Sequence, residues 1–123
     1  MQMELESLDA RANPRYLTRI AIFYGPYQKK ILTDYSINLS TGGVFIETNM
    51  ILPEGTELTV KFNLPISDVI ITTRARVAWT NDPPELKKVS LPRGMGLQFL
   101  DLSIEDMHTI RRFLDTGEFV PTW

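Results

Sequence analysis

The sequence contains no cysteine and only one histidine, His108. Missing thiols exclude a disulfide scaffold, a Cys-ligated zinc or iron–sulfur site and a thiol nucleophile. A single imidazole argues against a His-rich metal site and a conventional Ser/His/Asp triad. Apolar runs never exceed a few residues, so none is long enough to cross a bilayer. The chain starts with Met1, Gln2, Met3, Glu4, Leu5 and Glu6, acids standing where a secretion signal needs a basic start. These absences predict a soluble, cytoplasmic domain. Net charge is scarce too, with 13 Lys and Arg against 15 Asp and Glu. A balance of −2 argues against non-specific binding to DNA or RNA, which depends on many basic contacts.

What is present is one domain's worth of core, 123 residues of which 43% are apolar. The charge is unevenly placed. From Ala10 to Thr33 there is no acid, while Arg11, Arg15, Arg19, Lys29 and Lys30 fall there. A local cationic segment on a nearly neutral chain suits a small anion better than a polymer.

Residues 1–14 show no sustained period and end in Asn13-Pro14, which predicts a mobile arm or a short frayed helix. Two-fold alternation begins at Leu17 and puts Ile20, Ile22 and Tyr24 on one face, with Arg19 opposite. After Gly25-Pro26 a long alternating strand aims Ile31, Thr33, Tyr35, Ile37 and Leu39 at the core. It aims most of Leu32, Asp34, Ser36, Asn38 and Ser40 outward. Further strands are predicted at 44–48, 56–63 and 69–79, the last with Ala75, Val77 and Trp79 aligned and Arg74 and Arg76 opposing them. The proline-rich stretch 81–93 reads as an exposed loop, and Met95, Leu97 and Phe99 as a last strand. The period then becomes helical. Ser103 supplies a cap, Ile104, Met107, Ile110 and Leu114 form an apolar stripe, and Gly117 ends it. The pattern is mainly β: a small antiparallel barrel of about six strands with one C-terminal helix plugging an end.

Two spacings carry chemistry. Arg11 and Arg15 stand four apart in the arm. Asn38, Ser40, Gly42 and Gly43 place an amide and a hydroxyl at a strand end, beside glycines where the backbone must turn or admit a close approach. Together, Arg-x-x-x-Arg and Asn-x-Ser-x-x-Gly resemble the signature of the PilZ domain, a bacterial receptor module for cyclic di-GMP. Gly43-Val-Phe-Ile, the 52–55 turn, Val77-Ala-Trp79 and the 94–99 strand are similar to that family as well, so the likeness covers about residues 10–116.

The resemblance implies a barrel at 15–116, an arm at 1–14 carrying part of the ligand motif, and a tail at 117–123. It implies cyclic di-GMP as ligand, no cofactor, no metal and no catalysis. The ligand would be held by Arg11, Arg15, Asn38, Ser40 and Gly43, with Asp34, Gly42 and Trp79 as candidate secondary contacts. Guanidiniums suit phosphates and guanine edges, and an amide and a hydroxyl can read a base. A neighbouring protein would receive the signal when the arm orders. Trp79 is also readable as a core residue in line with Val77, and Asn38 and Ser40 as ordinary turn chemistry. An alternative pair, Arg15 with Arg19, has the same spacing but is disfavoured because Arg19 lies within the strand pattern and Pro14 precedes Arg15 at the arm–strand junction. The rival functions are a PilZ-like protein-interaction domain without nucleotide and a barrel for single-stranded oligonucleotides. No nucleophile–base pair can be assembled for an enzyme. His108 and the acids of 101–115 read as solvated surface, and Phe119 and Trp123 as a tail folded on the barrel or awaiting a partner.

Overall fold

The computed structural model describes residues 15–25, 32–64, 68–116 and 121–122. Ile31, Phe119, Trp123, Arg11 and the rest of the arm lie outside the described residues. Six strands close into an antiparallel barrel in the order β2 (Ala21–Gly25), β5 (Glu57–Leu64), β6 (Val69–Asn81), β7 (Gly94–Phe99), β4 (Gly43–Glu47) and β3 (Leu32–Leu39), and β3 pairs back with β2. The short β1 (Arg15–Leu17) pairs with the end of β3 beyond the reach of β2. The two-residue β8 (Pro121–Thr122) pairs with β1. Closure leaves the six barrel strands no free edge.

Alternation explains most of the interior. In β5, Leu58, Val60, Phe62 and Leu64 point inward while Glu57, Thr59, Lys61 and Asn63 face water. In β6, Ile71, Ala75 and Val77 do the same against Arg74 and Arg76. The turn into β5 uses Gly55 at φ 87°, where a side chain would be strained. Each fully buried aliphatic side chain contributes about 1.5–3 kcal/mol, so this alternation is the main source of stability.

The single helix, α1 (Ile104–Thr116), starts as expected, with Ser103 Oγ accepting from the Asp106 N–H at 3.0 Å. Glu105 and Asp106 sit favourably in its first turn. It presses Ile110, Phe113 and Leu114 into the core. Ile104, expected on that stripe, is exposed instead. It is the first helical residue after the cap, and Phe113 joins the buried stripe nearer the helix's other end.

The largest departure from the expected pattern is in β3. Tyr35, expected inside, is 46% exposed, and Thr33 is exposed too. Ser36, expected outside, is fully buried, and Asp34 turns in toward Tyr24. Leu39 nonetheless faces the core. A one-residue bulge at Ile37 reconciles these facts. Ser36 pairs with Ile46 and Asn38 with Phe45, so two β3 steps oppose one β4 step and the alternation reverses phase. The predicted first strand is also divided, into β1 and β2. Ser36 staples the break: its Oγ donates to Thr18 O and accepts the Ile20 N–H at 2.9 Å.

Candidate ligand-binding face

A second bulge, at Ala78, does for β6 what Ile37 does for β3. Val77 pairs with Leu97 and Trp79 with Gly96, so Val77 stays in the core while Trp79 moves to the outer face. The expectation that Trp79 continues the inward row of Ala75 and Val77 is therefore corrected. The outer face then carries one continuous cross-strand row: Leu17 opposite Asn38, Asn38 opposite Phe45, Phe45 opposite Gly96, and Gly96 opposite Trp79.

Phe45 is 1% exposed yet lies outside the core cluster, because Val44 and Ile46 take the inward positions. Its ring centroid is 5.2 Å from that of Trp79. Both rings lie over glycine. A Cβ on Gly96 would stand 2.1 Å from Trp79 Nε1, and one on Gly94 would stand 2.0 Å from the Ile46 carbonyl oxygen and 2.9 Å from Phe45 Cζ. The Gly94-Met-Gly96 pair is thus a bare strip on β7 that admits two aromatic rings. Sequence reasoning missed Phe45. The signal was there in two glycines at alternate strand positions, which leave one face of a strand without side chains.

At the other end of the row, Arg15 Nη1 donates to Asn38 Oδ1 at 2.9 Å. This bond joins residues from the two motif halves and fixes the outward amide, which is only 6% exposed. Arg19 is engaged elsewhere. It lies over the Tyr35 ring at 4.5 Å and 4.0 Å from Glu47, so Arg15 and not Arg19 meets the strand motif.

The remaining candidates have different surroundings. Ser40, expected to present its hydroxyl outward, is 1% exposed. Its Oγ accepts the N–H groups of Gly42 at 3.0 Å and Gly43 at 3.2 Å, so its work is to shape the turn. Gly42 O accepts from the Phe99 N–H at 3.0 Å. What approaches Gly43 is the neighbouring strand: a Cβ there would lie 2.1 Å from the Leu97 carbonyl oxygen. Asp34, expected on the same face as Asn38, is on the opposite one. It accepts a 2.6 Å hydrogen bond from Tyr24, whose hydroxyl also lies 2.9 Å from Thr48 Oγ1. Burial first, and the bond to Asp34 second, push the Tyr24 hydroxyl well above its usual range.

The closed barrel thus carries a cation–amide pair and an aromatic pair on one outer row. No group of acids and histidine suited to hold a metal occurs among the described residues. The chain belongs to the PilZ domain family, whose model matches residues 9–116. PilZ domains are cyclic di-GMP receptor modules, regulatory rather than catalytic. Solved structures share the fold. The Bacillus subtilis inhibitor of motility MotI/DgrA is 23% identical with a TM-score of 0.65, over 85% of this chain and 51% of that one, so this chain spans about half its length. The PilZ domain of YcgR from Escherichia coli, solved with c-di-GMP, is 13% identical with a TM-score of 0.62, covering 85% and 88%. The PilZ domain of CeSA from a cellulose-synthesizing bacterium is 15% identical with a TM-score of 0.54, covering 82% and 94%. No curated protein matches. No helix among the described residues is long and apolar enough to cross a membrane.

Proposed function

We propose that this chain is a cytoplasmic receptor for cyclic di-GMP that performs no chemistry and needs no cofactor. The ligand lies on the outer row. Arg11 and Arg15 bind its phosphates and guanine edges, Asn38 reads a base, and Ser40 and Gly43 hold the turn that presents Asn38. Residues 1–14 order over the ligand, and the changed surface is read by a partner protein.

The observation that supports this most strongly is the 2.9 Å bond from Arg15 to Asn38, between residues 23 apart in sequence. It supports a site shared by an arginine of the first motif half, on β1, and the amide of the second, on β3. A cyclic dinucleotide brings two phosphates and two guanines to such a site, where a fork of N–H donors and an amide are both matched.

Titration calorimetry tests the proposal. Cyclic di-GMP should bind the native chain, and Arg11→Ala or Arg15→Ala should abolish the heat while Arg19→Ala leaves it unchanged. No heat at ligand concentrations up to about 100 µM, a free energy near −5.5 kcal/mol, overturns the receptor assignment and leaves a protein-interaction domain.

A further inference from the structure

The loop after β6 is held by one side chain. Asn81, the last residue of β6, is fully buried. Its Nδ2 lies 3.0 Å from Lys88 O, 3.1 Å from Leu91 O and 3.0 Å from Pro92 O, while its Oδ1 accepts the Lys88 N–H at 3.0 Å. A buried amide that spends its donors and its acceptor on one loop fixes that loop firmly. Lys88 is the residue gripped at both its N–H and its carbonyl.

This grip sets the Lys88 side chain over Trp79, with Nζ 5.8 Å from the ring centroid. The loop's other cations are committed elsewhere. Lys87 Nζ pairs with Glu54 at 2.7 Å, and Arg93 with Asp82 at 3.0 Å. Lys88, among the described residues, faces an indole and no carboxylate. An exposed cation–π contact is weak, so a phosphate can replace it readily.

Position matters here. Arg15 and Asn38 stand at one end of the outer row and Trp79 at the other, three strand spacings or about 14 Å away. Between them the row presents Phe45 and Gly96, which offer no charge. A dianion held at the Asn38 end by arginine leaves its charge at the Trp79 end unmatched unless Lys88 meets it.

We propose that Lys88 is a second anion contact of this site, lifted from the Trp79 ring to bind a ligand phosphate, with Asn81 as its positioning residue. The proposal rests on the cyclic di-GMP assignment above. It adds a binding residue on the 82–93 loop that the motif does not contain.

The test is calorimetry with cyclic di-GMP at low and high salt, alongside fluorescence in a Trp123→Phe background where Trp79 is the sole indole. Lys88→Met should bind about tenfold more weakly than the parent, with the gap closing at high salt, and Lys88→Arg should restore binding. Asn81→Ala should lose the same salt-dependent part, and Lys88→Met should add nothing to it. The salt-independent binding that Asn81→Ala retains separates positioning from a loss of fold, and the non-additivity assigns the lost part to Lys88. If the parent binds and Lys88→Met binds equally well at both salts, the Lys88 contact is overturned while the receptor assignment stands. If the parent takes up no cyclic di-GMP, both fall.

Discussion

At the scale of single residues, the outer row depends on glycines being glycines, and for two different reasons. A methyl at Gly43 meets the Leu97 backbone oxygen at 2.1 Å, and backbone in a closed barrel cannot retreat. The atoms nearest a methyl at Gly96 belong to the Trp79 indole, which can lift away. Gly43→Ala should therefore cost about 3 kcal/mol or more in urea unfolding, whereas Gly96→Ala should cost about 1–2 kcal/mol. Gly96→Ala should also red-shift Trp79 emission as the ring moves into water. Tyr24 makes a second case. Its hydroxyl is pushed above the ordinary 10.0, so the folded chain holds this proton to higher pH than the unfolded chain does. Its stabilisation is thus complete below pH 10 and lost as pH rises beyond it. Tyr24→Phe should be less stable than the native chain at pH 7 by about 1–3 kcal/mol, since it leaves Asp34 and Thr48 short of a partner. The gap should narrow steadily above pH 10 in unfolding titrations.

At the scale of elements, two bulged residues decide where the chemistry sits. Regular alternation would send Asn38 inward with Ser36, and would hide Trp79 behind Val77. Bulges at Ile37 and Ala78 put both on the outer face, in register through Phe45 and Gly96. The barrel strands, their order of appearance and the capped helix were legible in the sequence, because β5 and β6 alternate cleanly and Ser103 marks a helix start; the break between β1 and β2 and the β8 pairing were not. The facing of Asp34, Tyr35, Ser36 and Trp79 was not. A bulge is one extra residue whose cause lies in the partner strand, so no local period announces it. Asn38 was placed outward correctly, but by an alternation that fails at Tyr35 and is reset one residue before Asn38. Arg15 and Asn38 stood out by motif spacing, while the turn role of Ser40 appears only when Gly42 and Gly43 are seen to donate to it. The β1–β8 pairing adds an element-level prediction. Arg15 stands opposite Thr122, so β8 braces the strand that carries the arginine. Deleting residues 121–123 should leave the barrel's melting transition nearly unchanged and weaken cyclic di-GMP binding several-fold, as calorimetry would report.

At the scale of the whole molecule, a near-neutral charge conceals a division of labour. The barrel interior provides a rigid frame, Arg74 ties Glu57 and Asp101 on the outside, and the cations near β1 and the 82–93 loop flank the outer row. The exposed Phe23 and Tyr35 lie outside that row, on β2 and the part of β3 that pairs with it, so the barrel has a second outer surface. In the proposed mechanism only the row from Leu17 to Trp79 receives ligand. The most direct test is to follow backbone amide resonances of the full chain during titration with cyclic di-GMP. The account predicts shifts concentrated at Arg15, Leu17, Asn38, Phe45, Gly96 and Trp79, with Phe23, Thr33 and Tyr35 unmoved. Shifts centred on Phe23 and Tyr35, or none at saturating ligand, would contradict it.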